Sequence, residues 1–268
     1  MKPSYVVSLS GGKDSTAMLL MMLERGEPVP DIVFFDGGWE FPAMYAHLKQ
    51  VEKYTGRTIT RLRPREPFDY TFAERPVISR VTKEVRQHGR GWPSPSRRWC
   101  TRQKQEAIHC HANALSYRHG FGLPIVQCIG FAADEAHRAD RTNGGRNRAG
   151  KYTEFRYPLI EWGISERDAL DYCLERGFTW DGLYKVFDRV SCMCCPLGGI
   201  GHARLLRKHY PELWEQMLRM ESWLPEGHLG RRFYNEITLS DLDTRFTGED
   251  VHEGRMNKLP GMAMEASL

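Results

Sequence analysis

The stretch SYVVSLSGGKDSTAMLLMML, residues 4–23, constrains the fold of this chain more tightly than any other feature. Tyr5, Val6, Val7 and Leu9 make a short apolar run of β-formers, and Ala17 to Leu23 are good helix formers, so the chain passes from strand to helix near Ser10 to Ser15. Gly11 and Gly12 lie in that turn, where they permit backbone conformations closed to other residues, and the unpaired N–H groups of the first helical turn point into it. An anion suits such a place, helped by the helix dipole. Lys13 adds a positive charge, Ser10 and Ser15 add hydroxyl donors, and Asp14 or Ser15 is expected to cap the helix. The competing reading is a plain strand-to-helix turn whose polar residues only cap. The crowding of Ser, Gly, Gly, Lys, Asp and Ser favours phosphate over it.

The nucleotide loops of well-known spacing do not match. A Walker loop requires Ser or Thr after its Gly-Lys, and here Gly12-Lys13 is followed by Asp14; the dinucleotide pattern fails as well. SGGKDS instead resembles the PP-loop of the ATP pyrophosphatase superfamily, which binds the pyrophosphate part of ATP or a related nucleotide and usually makes an adenylated intermediate.

A chain of 268 residues, 41% of them hydrophobic, can bury a full core as one large domain or one domain with an appendage. Its longest apolar runs fall short of a membrane span and the N-terminus lacks signal-peptide features, so a cytoplasmic protein without a membrane partner is expected. Seven cysteines in such a chain argue for thiols or metal ligands over a disulfide framework. The net charge of +4 is unevenly spread: Arg86 to Lys151 holds 12 Lys/Arg against 4 Asp/Glu. That suits a phosphate-rich partner, but only Trp92 and Trp99 interrupt these charges as base-stacking candidates, which disfavours direct nucleic-acid binding.

Beyond the first strand and helix, Ile32 to Phe35 reads as a buried strand ending in Asp36, Phe41 to Tyr54 as a helix closed by Gly56, and Thr58 to Leu62 as a third strand. Such alternation implies an α/β fold, a parallel sheet with helices on both faces whose ligands bind beyond the strand carboxyl ends. Asp36 is thereby placed to meet a ribose, a metal or a substrate group, with loop capping as the competing reading. Arg63 to Arg98 is expected to be a helix with long flanking loops, Thr101 to Tyr117 a helix, and Ile125 to Gly130 a strand delivering FAADEAHRADR to the same sheet edge. The glycine-arginine segment Thr142 to Lys151 is expected to be mobile. SERDALDYCLERGF reads as a helix capped by Ser165, with Asp168 in the capping-box position and Gly177 as its stop. His202 to Trp223 reads as helix broken near Pro211. The expected organisation is a nucleotide-binding α/β domain over 1–160, a smaller helical region with the cysteine cluster over 161–246, and a weakly ordered tail over 247–268.

SCMCCPLGG places Cys192, Cys194 and Cys195 within four residues, close enough to converge on one soft metal centre, zinc or iron-sulfur. Cys100 is the candidate fourth ligand, since it begins a helix amid Arg97, Arg98, Arg102 and Lys104, surroundings expected to stabilise a thiolate. A metal-free redox pair such as Cys192 and Cys195 is the competing reading. Cys110, Cys128 and Cys173 are expected to be buried and inert, and Met18, Met21, Met22, Trp162, Trp180 and Trp214 to be packing residues.

Together, SGGKDS, FFDGGWEFP, RRWCT, IGFAADEAHR, YPLIEWGISERDALDYC and SCMCCPLGG resemble the phosphoadenosine phosphosulfate reductase family, particularly its phage and mobile-element branch. The resemblance runs from about Tyr5 to Trp223 and implies an adenine-nucleotide α-hydrolase-like fold. It implies a nucleotide site of Ser8, Ser10, Gly11, Gly12, Lys13, Asp14, Ser15, Asp36, Gly130, Asp134, Glu135 and Arg138, with Lys13, Asp14 and Asp36 as catalytic candidates. It also implies ATP or a related adenine nucleotide, assisting Mg2+, and a four-iron four-sulfur cluster on Cys100, Cys192, Cys194 and Cys195, with zinc the alternative. Reductases of this family carry a catalytic cysteine in a C-terminal Glu-Cys-Gly-Leu-His segment, and RMNKLPGMAMEASL has no cysteine. The expected activity is therefore adenylation-linked sulfur transfer to a nucleobase, DNA or a small molecule. Sulfonucleotide reduction and a non-catalytic nucleotide-binding regulator with a structural metal are the alternatives. Expected partners are a sulfur donor protein or thioredoxin, a nucleic-acid or nucleobase substrate, and a second copy in a homodimer.

Overall fold

In the computed structural model, residues 4–118, 125–144 and 153–256 are described. Strand β1 (Ser4–Ser8) leads into α1 (Lys13–Glu24), β2 (Asp31–Phe35) into α2 (Pro42–Thr55) and β3 (Thr60–Leu62) into α3 (Phe68–Ala73). A hairpin of β4 (Pro76–Ile78) and β5 (Val85–His88) precedes α4 (Trp99–Arg118), β6 (Ile125–Ile129), α5 (Ala136–Gly144), β7 (Thr153–Arg156), α6 (Pro158–Glu161), α7 (Glu166–Glu175) and α8 (Leu183–Val186). The chain continues through α9 (Gly199–His209), α10 (Pro211–Glu221), β8 (Arg232–Tyr234), β9 (Ile237–Thr238) and α11 (Leu239–Met256). No helix among the described residues is long and apolar enough to cross a membrane.

Two compact units result, one comprising the chain to Tyr70 with Arg98–Cys195, the other Thr71–Arg97 with the chain from Pro196 onward. The boundary differs from the expected division at 160/161: residues 161–195, with four cysteines, belong to the first unit, and 71–97 is an excursion into the second. Helix α11 continues to Met256, through the first part of the tail expected to be weakly ordered; 257–268 lie outside the described residues, as does most of the segment Thr142 to Lys151.

In the first unit the sheet order is β3-β2-β1-β6-β7, every pair parallel. Side chains alternate across it: Val6, Val33 and Ile125 cluster with Ala112 and Leu115 of α4 on one face. Val7, Ile32 and Phe34 point to the other face and are buried as well, so both faces are covered, as a parallel sheet requires. Ala17, Met18, Leu19, Leu20 and Met22 make α1 apolar nearly all round; it packs against α6 and α7, and its methionines are core. Strand order reverses between β1 and β6. The loops after these two strands, Leu9 to Gly12 and Gly130 to Ala132, therefore flank the crevice where ligands of such sheets bind.

Arg63 to Arg98 departs from expectation: its helix is the short α3, and β4 and β5, in the second unit, pair in an antiparallel hairpin. Trp92 is fully buried between Phe72 and Phe233, and in the first unit Trp99 packs against Phe68 at 4.7 Å, so both tryptophans are core and not base-stacking platforms. The Trp92 N–H donates to Gly230 O at 2.8 Å. This brings backbones so close that a Cβ on Gly91, at φ +62°, would lie 2.1 Å from Gly230 Cα. Gly91→Ala is expected to cost about 2–4 kcal/mol, read as a fall in the thermal midpoint. Gly248→Ala, in open space on α11, is expected to stabilise by about 0.5–1 kcal/mol. Pro211 does break the helix, separating α9 from α10.

Candidate functional site

The glycine turn is built from its own hydroxyls. Ser15 Oγ donates to Gly12 O at 3.1 Å and accepts from Ser10 N at 3.1 Å, and it lies 2.9 Å from Ser10 Oγ. Ser8 Oγ accepts from Gln127 Nε2 at 2.8 Å, inside the β1–β6 pairing. The serines expected to face an anion are thus engaged in holding the turn. Gly11 takes φ +82°, and its carbonyl accepts from Trp180 Nε1 at 2.7 Å. Trp180 stacks on buried His47, whose imidazole burial drives down to about 3. Neither Asp14 nor Ser15 caps α1: Gly12 is the N-cap without a side-chain cap bond, and the Lys13 N–H donates to Tyr184 Oη at 2.7 Å. A Cβ on Gly130 would meet Ser15 Cα at 2.8 Å, so the loop after β6 touches the first turn of α1 backbone to backbone.

An ionic cluster lies beside the turn. Lys13 is 5% exposed, and its Nζ sits 2.5 Å from Glu166 Oε2 and 3.3 Å from Asp14 Oδ1. Burial, then the nearby Glu166 and Glu135, hold the Asp14 carboxyl up at about 6 despite Lys13. Its Oδ1 is buried without a hydrogen-bond partner. Burial also pushes the Glu166 carboxyl up, but the bond to Lys13 and the charges of Lys13, Arg189 and Arg138 outweigh it and hold it below its ordinary value. Glu135 accepts from Arg138 at 2.6 Å and from Arg189 at 3.1 Å, while Asp134 accepts the Glu166 N–H at 3.2 Å. Helix α7 starts there because Ser165 and Asp168 form the expected capping box. Gly130, Asp134, Glu135 and Arg138 thus lie beside Lys13 and Asp14. Glu166, Arg189, Tyr184 and Trp180 join them without having been singled out as site residues.

Asp36 stands apart from that cluster. It accepts from Gly38 N and from Tyr45 Oη at 2.8 Å, and its charge acts on Glu40, which accepts from Cys192 Sγ at 3.1 Å. Burial raises the Glu40 carboxyl. The segment carrying Cys192 is tied to the loop after β2 by Met193 N donating to Trp39 O at 3.0 Å.

Cys100, Cys192, Cys194 and Cys195 gather here in the first unit. Burial raises the thiols of Cys192 and Cys194 well above their ordinary value, and Cys195 adds to both; Cys194 also feels Cys100. The expected thiolate at Cys100 is not what its surroundings favour, because burial and neighbouring Cys195 push that thiol up more than the start of α4 lowers it. Four neighbouring thiols are a donor set suited to a soft metal centre. Among the described residues, no three such side chains already surround a point that a metal would occupy. Cys128 and Cys173 are inert as expected, burial driving both thiols up to about 12, whereas Cys110 is exposed on α4.

Residues 4–197 match the description "Phosphoadenosine phosphosulfate reductase domain", and the chain belongs to that family. Protein MJ0066 of Methanocaldococcus jannaschii is 26% identical over 217 residues, 80% of this chain and 41% of its own length, so the chain spans about two fifths of this curated relative. The U34-tRNA thiolase NcsA of Methanococcus maripaludis, solved with its [4Fe-4S] cluster, superposes with a TM-score of 0.44 at 16% identity, over 86% of this chain and 78% of that one.

Proposed function

We propose that this chain binds an adenine nucleotide at the glycine turn and uses it to adenylate an acceptor that then receives sulfur. One observation carries the reading: at the crevice between β1 and β6, the buried Lys13 amine holds the Glu166 carboxylate at 2.5 Å, an anion standing where a phosphate oxygen would stand. With nucleotide bound, Lys13 and the turn's N–H groups neutralise the phosphates. The acceptor oxygen attacks the α-phosphorus, an O–P bond forms as the bond to pyrophosphate breaks, and a sulfur nucleophile then displaces AMP from the acceptor. Asp14, whose buried Oδ1 makes no hydrogen bond, is the residue that would hold an assisting Mg2+, which would supply charge neutralisation at the phosphates. Arg138 and Arg189, already on Glu135, supply further positive charge.

Cys100, Cys192, Cys194 and Cys195 would hold a four-iron four-sulfur cluster, which when bound supplies sulfur handling or electrons at that end of the site. Glu40 keeps Cys192 oriented. In anaerobically purified protein about four irons per chain are expected, and Cys194→Ser is expected to remove most of them. Cys110→Ser, exposed and remote from the group, leaves the iron content unchanged. One zinc per chain would overturn the cluster.

The test of activity is ATP binding by calorimetry together with pyrophosphate release in the presence of nucleobase, DNA and small-molecule acceptors. ATP binding with acceptor-dependent pyrophosphate supports the proposal. Sulfite release from a sulfonucleotide with thioredoxin, without pyrophosphate, would replace it by the reduction that the family's description favours. No binding of either nucleotide sinks both.

A further inference from the structure

The β4–β5 hairpin lies wholly in the second unit and is anchored firmly at its base. Gly89 N donates to Arg75 O, Arg90 N to Thr71 O and Gly91 N to Phe72 O, next to the buried Trp92. The tip, 79–84, closes on buried Ser79, whose N–H donates to Glu84 O at 2.8 Å. Its carbonyl accepts from Lys83 N at 3.1 Å, and its hydroxyl accepts from Thr82 N at 3.1 Å. What this stiff ribbon presents outward is unusual for a surface loop. Val81 is 85% exposed, Ile78 58% and Val85 51%, beside Arg80, Lys83 and Arg86, which are all exposed and have no carboxylate partner among the described residues. Between Thr71 and Arg97 there are six Arg/Lys against two Glu.

We propose that this ribbon is a docking element for duplex DNA, with Arg80, Lys83 and Arg86 on backbone phosphates and Val81 at the tip against the groove floor. Uncompensated cations call for a polyanion. A two-stranded ribbon fits the major groove of B-form DNA, whereas the deep, narrow major groove of A-form RNA does not admit it. A membrane surface is disfavoured by the small apolar payload and the absence of Trp or Phe at the tip. The inference is independent of the nucleotide site, and ATP binding by the same variants separates failure of the one from failure of the other.

The test is fluorescence anisotropy of a labelled duplex DNA with the whole chain, without nucleotide, over a series of salt concentrations. Arg80→Ala, Lys83→Ala and Arg86→Ala together are expected to weaken binding at low salt by about thirtyfold or more. They should also reduce the slope of log affinity against log salt by about 3, roughly 0.9 per phosphate contact. Lys49→Ala, Lys53→Ala and Arg57→Ala, an equal charge change on and just beyond α2, should leave both values unchanged. Val81→Ser should weaken binding at constant slope. The altered side chains are exposed and without ion-pair partners, so an unchanged thermal midpoint confirms folding. Absence of DNA binding by the unaltered chain, identical affinity and slope in the hairpin variant, or tighter binding to duplex RNA or acidic lipid vesicles than to DNA would overturn the proposal.

Discussion

Lys13→Ala is expected to lower ATP affinity about a hundredfold, and Glu166→Gln to raise it about tenfold. The first figure follows from losing charge-assisted bonds of roughly 1.5–3 kcal/mol each. The second has the opposite sign because Glu166 competes with phosphate for the same amine, 2.5 Å away. If Glu166 merely braced the fold, its neutral variant would bind ATP no better than the parent. Calorimetric titration of the two variants decides between these outcomes, and ATP affinity unchanged in both would remove the glycine turn as the phosphate site.

Asp14→Asn is expected to stabilise the nucleotide-free, metal-free protein at pH 8 and to leave it unchanged below pH 4. Burial raises the Asp14 carboxyl from 3.8 to about 6, so the folded state keeps a proton that the unfolded chain has released. The cost of ionising Asp14 in the fold is therefore absent below 3.8, grows as pH rises, and is complete above about 6, where it amounts to roughly 3 kcal/mol. Thermal midpoints of parent and variant across pH 4–8 should diverge upward in that window. Parallel curves would mean that Asp14 ionises freely in the fold. A group that destabilises its own fold at neutral pH is retained for what it binds.

The halves of this molecule differ in how openly the sequence declares them. The turn after β1 was legible because its cues are local: β-formers, two glycines, a lysine and helix formers within 20 residues. So was α7, whose Ser165 and Asp168 form a contact only three residues long. Glu166 and Tyr184 were not legible as site residues, since they meet Lys13 across 153 and 171 residues. Only the assembled parallel sheet, with α7 and α8 folded back beside the turn, brings them there. Trp180 was rightly read as packing, but what it packs is the carbonyl of Gly11. The β4–β5 hairpin escaped because PVI and VRQH are too short to alternate and Pro76 opens the first strand. Cys100 misled by its basic neighbours: charges along the chain do not report enclosure, and enclosure dominates its thiol.

The strand order also separates the two ends of the site in time. Strand β1 is paired on both sides, with β2 and β6, so the glycine turn at its end shares the protection of the innermost strand and opens only when the sheet does. The stretch from Asp188 to Cys195 belongs to no helix or strand, and few backbone bonds hold it. It can open locally while the sheet stays shut. On the proposed function, a metal centre on Cys192, Cys194 and Cys195 would therefore be installed or repaired without unfolding the sheet, and each opening would also release Arg189 from Glu135 at the nucleotide end.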